Sequence, residues 1–238
     1  MRYGLALEEI NARLWIAWNL DLPGCVSMAV TRDEAVALAP DAIAAHLDWL
    51  ASHGDGLGPL FAATFEVEVE ETFRPRSREG VSGSIAFFEA DRVPLKGEEI
   101  EQGLRQLHYA RTDLMALVRH LPTETLERPI EGDMFGSVAN VLEHLAWAEW
   151  WYCDRLGITL EREQIPADPI TKLDVIRGWL RSRLREMAGQ RLIVDQVGET
   201  WSPRKLLRRA LWHEREHTAH IARLLSGELG IPGSGVEL

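Results

Sequence analysis

Cysteine is almost missing from this 238-residue chain, which has only Cys25 and Cys153. Two thiols without C-x-x-C spacing exclude a disulfide framework and suit a reducing, cytoplasmic setting. Lysine is absent from residues 1–90, and across the chain 26 Lys and Arg face 37 Asp and Glu, a formal charge of −11. That balance argues against a coat for nucleic acid or for anionic membranes, so neither is expected as a partner. No run reaches the roughly 18 uncharged apolar residues of a membrane span, and the first twenty residues lack the apolar core of an export signal. What is present, 46% apolar and 26% charged side chains, is the composition of a folded protein.

Charge and periodicity divide the chain. Residues 1–90 carry a net −8 and the remainder a net −3. Period-two alternation in Phe65-Glu66-Val67-Glu68-Val69-Glu70 predicts a half-exposed strand. Residues 3–7, 14–18 and 25–30 read as further strands, with turns at Asn11-Ala12 and Asp21-Leu22-Pro23-Gly24. A helix is expected from Thr31, whose hydroxyl stands at capping-box spacing from Glu34, to about Gly54, with Pro40 as a kink or break. The order reads β-β-β-α-β. A Pro, Arg, Ser and Gly stretch over 74–83 and a short strand over 85–88 lead to a boundary near residue 90.

Beyond it the period becomes 3.6, and helices are expected over 98–121, 137–156, 171–188 and 202–226. Ser137, Thr171 and Ser202-Pro203 supply start signals. The fold class is therefore α+β, a small domain over 1–90 followed by an all-α four-helix bundle over 91–238.

In the last helix Leu206, Ala210, His213, His217, Ile221 and Leu224 form one inward stripe, and Val141, His144, Ala148 and Trp151 form another in the second helix. Eight histidines in this length give about 0.3 pairs at spacing four by chance, so the placement on core seams carries the weight. Three buried imidazoles without partners would each cost about 1–3 kcal/mol. A shared divalent metal on His144, His213 and His217 answers that cost and leaves an open position of the catalytic kind. Core histidines satisfied by carbonyls and water are the competing reading. Imidazole ligands suit Zn or Ni first, with Fe, Co, Mn or Cu also accepted.

His213-Glu214-Arg215-Glu216-His217 also spells H-E-x-x-H, the zinc-protease signature with its intervening base. The extended form fails, since Arg223 stands where its third histidine belongs, and the only Glu twenty residues on is Glu237 in a Pro- and Gly-rich tail. Glu216 is the candidate base, with a solvated charge paired to Arg209 or His220 as the alternative. Glu143 and Glu214 are expected on the surface, and His220 reads as a core residue or an outer partner of the site. Trp147 and Trp151 wall a pocket or pack as plain core, and Cys153 is out of phase with the ligands. Nine basic residues between Arg177 and Arg209 are expected as solvated faces pairing with the acidic first domain, or as a site for carboxylates or phosphates.

Over about 99–230 the chain resembles the DinB-like (DinB/YfiT) superfamily. The resemblance rests on Leu107-His108-Tyr109-Ala110-Arg111, on Met134-Phe135-Gly136-Ser137-Val138 with Leu142-Glu143-His144-Leu145, and on the segment from Trp212 to Ile221. It implies a four-helix bundle with metal on His144, His213 and His217. It also implies a transferase that uses a low-molecular-weight thiol; several relatives carry a further His where this chain has Glu216. The stretch from Trp15 to Trp49, with Asp21-Leu22-Pro23-Gly24-Cys25 and Thr31-Arg32-Asp33-Glu34-Ala35, resembles the HicB antitoxin family, which implies a module that binds a basic protein partner.

Together these predict a metal-dependent thiol transferase or hydrolase acting on a small-molecule substrate. The rival is a non-enzymatic, antitoxin-type regulator with a structural metal, and a metalloprotease is the third reading. Spare apolar faces on such a bundle admit a homodimer.

Overall fold

The computed structural model describes residues 1–55, 65–75, 83–196 and 198–227. The chain forms two compact units, Met1–Arg92 and Val93–Val236. The first is β-rich and the second helical, an α+β protein. Most of the 74–83 stretch, and Glu237, lie outside the described residues.

In the first unit β1 (Arg2–Asn11), β2 (Leu14–Asn19), β3 (Val26–Ala29) and β4 (Glu66–Phe73) make one sheet in the order β3-β2-β1-β4. β1–β2 and β2–β3 are antiparallel, while β4 runs parallel to β1. A parallel neighbour requires a crossover, and α1 (Arg32–Ala37) and α2 (Ala39–Ser52) supply it. As an inner strand, β1 buries Leu5, Ala6 and Leu7 in succession. On the outer strand β4, Val67 and Val69 pack on the cluster of Leu5, Leu7, Trp15 and Ala35, and Glu66, Glu68 and Glu70 stay exposed.

Thr31 caps α1 through a full capping box, and the helix stops before Pro40, which opens α2 where its missing N–H is harmless. The strand expected over 85–88 does not form. The N–H groups of Ile85 and Ala86 donate instead to the carboxylate of Glu8, at 2.7 and 2.9 Å, so no ladder is needed to satisfy them.

The helical unit contains α3 (Gly97–Val118), the single turn α4 (Thr123–Leu126), α5 (Val138–Arg155), α6 (Pro169–Glu186) and α7 (Pro203–Ser226). A small hairpin, β5 (Val194–Gln196) and β6 (Glu199–Trp201), precedes α7 and was not expected. Ser137 and Ser202 cap α5 and α7, and Gly227 closes α7 at φ 76°. α6 starts two residues before the Thr171 signal, because Asp168 accepts from Thr171 N at 2.8 Å and Pro169 takes the first position.

α3 packs on α7 and α6, and α5 packs on α6 and α7. At Gly103 the approach of α3 to α7 is so close that a Cβ would stand 2.4 Å from Leu207. Among the described residues the core of this unit has two apolar clusters. One holds Leu104, Leu107, Tyr152, Leu180, Trp201 and Leu211, and the other Leu114, Val118, Val141, Leu145, Leu173 and Ile221. Residues between these two levels of the helices form a polar layer of Arg111, Glu149, Arg177 and Glu214, all buried. Among the described residues no helix is long and apolar enough to cross a membrane.

Candidate metal centre

Steps of four and four along α7 place Ala210, Glu214 and Thr218 on one line, and the adjacent line carries Leu206, His213, His217 and Ile221 into the core. His213 and His217 are 2% and 5% exposed. On α5 the buried stripe is Val138, Val141, Leu145, Glu149 and Tyr152, with His144 half-buried at its edge. The inward stripe expected through Ala148 and Trp151 is thus displaced by about one residue; Trp151 packs edge-on against Trp201 at 5.3 Å. Trp147 donates to Glu143 at 2.7 Å and lies beneath Lys172.

His144, His213 and His217 come together, each offering one nitrogen within 4.8 Å of the others. His213 Nε2 stands 3.1 Å from His144 Nε2 and 3.1 Å from His217 Nε2. A neutral imidazole nitrogen either donates one proton or accepts with one lone pair. His213 Nε2 therefore cannot satisfy both neighbours in any tautomer. Protonation offers no escape, since burial lowers the pKa of all three rings. His213 is pushed well below the usual value by burial and by the other two imidazoles, and His217 is lowered to about 3 by burial with His144, His220 and Arg223 nearby.

Three neutral lone pairs aimed at one point are the donor set of a divalent cation. Two ligand nitrogens on a tetrahedral zinc stand about 3.3 Å apart, close to the spacing here. The residues present fit such an ion.

Phe135 covers the cluster, its ring centroid 4.9 Å from that of His144 and edge-on to His217 at 5.4 Å. Asp133 holds it there. Asp133 Oδ1 accepts from Phe135 N at 2.9 Å and Gly136 N at 3.1 Å, and Oδ2 meets His220 Nε2 at 2.7 Å. His220 is thus tied to a carboxylate beside the site rather than packed as plain core.

Glu214, expected on the surface, is 2% exposed. Its Oε1 accepts from Arg111 Nε at 2.6 Å and its Oε2 is in close contact with Arg177, so the motif's first Glu is turned away from the histidines. A protease base needs that carboxylate free to face the cation and its water, and here both oxygens are taken. Glu149 completes the layer with two bonds to Arg177, at 2.7 and 2.6 Å. A cavity of about 10 Å³ lies between this layer and His213, lined also by Leu145 and Tyr152.

Of the nine basic residues expected on solvated faces, Arg181, Arg185 and Arg191 are exposed and Arg183 and Arg204 half-buried, but the other four are not. Arg177, Lys205, Arg208 and Arg209 are buried, and Lys205 pairs with Glu199 at 2.7 Å inside the helical unit. Burial lowers the Lys205 pKa to about 8. Glu216 is half-buried, 4.0 Å from Arg223, with no hydrogen bond to the three histidines among the described residues. Glu143 pairs closely with Lys172. The Cys153 thiol lies in the first apolar cluster, and burial raises its pKa.

Residues 106–221 match the family model of the DinB superfamily. That span contains all three histidines, so the histidine-bearing segment is similar to members of that superfamily. No curated protein and no solved structure matches the chain.

Proposed function

We propose that the helical unit holds a divalent metal, zinc or nickel, on the Nε2 atoms of His144, His213 and His217. In this reading it works as a metal-dependent thiol transferase or hydrolase on a small electrophilic molecule. The observation that carries it is the convergence of three neutral nitrogens at 3.1 Å spacings that no tautomer satisfies. The match of 106–221 to the DinB superfamily supports it.

A bound divalent ion supplies Lewis acidity, which makes the anion of a thiol or of water available near neutral pH. The residues do the rest. Burial keeps the three imidazoles neutral and ready to bind. Phe135 shields the cluster from bulk water, and Asp133 fixes both Phe135 and His220. Glu214 serves as the anchor of α7 on Arg111 and Arg177. Glu216 is the candidate proton acceptor, one residue before His217 and, among the described residues, held only by a long contact to Arg223.

Elemental analysis of the purified full chain tests the site. One ion per chain is expected, lost in His144→Ala; unchanged stoichiometry in that variant removes His144 from the set. Saturable transfer of a small thiol to an electrophilic dye, abolished in His213→Ala with helix content intact, tests the reaction, and Glu216→Gln tests the base.

A second reading rests on β4, where Glu66, Glu68 and Glu70 form an exposed acidic row on the outer strand of the sheet. Such a row favours a basic protein partner. Co-purification of one that survives His213→Ala and disappears when the three Glu become Gln would make binding, and not catalysis, the role of the first unit.

A further inference from the structure

Between α3 and α6 the helical unit opens into a groove of about 270 Å³. His108 and Arg111 line it from α3, and Asp174, Arg177, Gly178 and Arg181 from α6. No apolar side chain lines it, unlike an ordinary small-molecule pocket. Its deeper wall is built from arginines already fixed in place. Arg111 and Arg177 are nine-tenths buried and held from within by Glu214 and Glu149. Arg177 has each of its nitrogens engaged, by Glu149, Glu214 and the Leu107 carbonyl, whereas Arg111 is anchored through Nε on Glu214 and its Nη2 has no hydrogen bond among the described residues. A guanidinium anchored on one edge loses little freedom when its other edge meets a further acceptor.

On the rim, Arg111 Nη1 reaches Asp174 at 3.4 Å, but that carboxylate is 55% exposed and its hold is screened by water. Arg181 is exposed and has no hydrogen bond or ion pair among the described residues. Gly178 widens the opening. It stands inside α6, where glycine is unfavourable, and a Cβ there would meet nothing within 4 Å. Gly103 is required by the packing of α3 on α7, whereas nothing in the packing around Gly178 requires glycine.

We propose that this groove binds a small molecule through a carboxylate or phosphoryl group, held by Arg111 and Arg181 with His108 beside them and the fixed charge of Arg177 behind. The inward carboxylates of Glu149 and Glu214 balance the deeper arginines when the groove is empty, and Arg111 and Arg181 are the donors left to meet a ligand. Asp174 is the internal competitor that the ligand displaces. The site is separate from the three histidines and stands whether or not they hold metal.

Calorimetric titration of the full chain with inorganic phosphate, and separately with succinate, tests this at low ionic strength. Saturable one-site binding of at least one probe is expected, and which probe binds tells phosphoryl from carboxylate recognition. Arg181→Ala, an exposed change, weakens binding roughly tenfold, the loss of one charge-assisted contact. Asp174→Asn tightens it. Gly178→Leu directs a side chain into the groove from a Cβ position with nothing within 4 Å, so it abolishes binding while the melting midpoint holds or rises. No saturable binding of either probe up to about 10 mM overturns the proposal. So does binding that persists in both Gly178→Leu and Arg181→Ala, which would mark an adventitious ion only.

Discussion

Arg177→Met removes the most heavily engaged side chain of the buried polar layer. Arg177 is 6% exposed. It donates to Glu149 at 2.7 and 2.6 Å and to the Leu107 carbonyl at 2.8 Å, and it also contacts Glu214 closely. Burial pulls its pKa down, but Glu149 and Glu214 more than reverse this and hold it above the usual arginine value. Without it, two buried carboxylates share the single guanidinium of Arg111. Leaving a charge uncompensated in such a setting costs about 3–5 kcal/mol. At roughly 2–4 °C per kcal/mol for a unit of this size, the midpoint should fall by about 6–20 °C. Removing Glu149 as well, in Arg177→Met/Glu149→Leu, leaves the neutral Arg111–Glu214 pair and should recover most of the loss. Six of the nine tryptophans lie in the helical unit, so urea unfolding followed by fluorescence reports on it. A single-variant loss under about 1 kcal/mol, or a double variant as poor as the sum of the singles, would refute the reasoning.

Acid should destabilise the metal-free protein through the same histidines that make the site. The folded pKa of His217 is about 3 and its unfolded value about 6.5, so the unfolded chain takes up the proton first. Stability is full above about pH 6.5 and falls toward pH 3, by up to about 5 kcal/mol from this group. Urea midpoints in chelator that stay flat from about pH 7 to about pH 5 would contradict this. In the first unit, Glu8 is fully buried and accepts from Trp18 Nε1, Ser84 Oγ and the N–H groups of Ile85 and Ala86. Glu8→Gln turns an amide NH2 toward one pair of these donors and should cost about 2–4 kcal/mol. Glu8→Gln unfolding at the wild-type urea concentration would show that the carboxylate does not hold the 84–86 segment.

Local signals were legible because local chemistry makes them. Thr31, Ser137 and Ser202-Pro203 cap their helices whatever surrounds them, since each satisfies N–H groups within its own first turn. His213 and His217 were legible for a related reason, as polar residues on an apolar seam, while His144 meets them from the edge of the buried stripe of α5. Residues 85–88 were misread because their apolar composition suits a strand, while the acceptor for the Ile85 and Ala86 N–H groups, Glu8, lies 77 positions away from Ile85 and that for Phe88 is the Asp91 carboxylate. Glu214 was misread because a charge beside a ligand histidine is assigned to solvent unless a buried cation is in view, and Arg111 and Arg177 are on two other helices.

A signal for that layer nevertheless exists in the pattern. Arg111 falls between Leu107 and Leu114, Glu149 between Leu145 and Tyr152, Arg177 between Leu173 and Leu180, and Glu214 between Ala210 and Ile221. Each of the four long helices therefore interrupts its apolar stripe once with an ionisable group in the layer, two positive and two negative. One such interruption is costly, but four that sum to zero compensate one another only when all four helices stand at the same height. A slip of one turn by any helix would bury at least one charge against hydrocarbon. The layer thus sets the register of α7 against α3, α5 and α6, and the residue before Glu214 in the chain is His213. The position of that imidazole relative to His144, on which the spacing of 3.1 Å depends, is inherited from a charge balance on the adjacent line of the same helical turn.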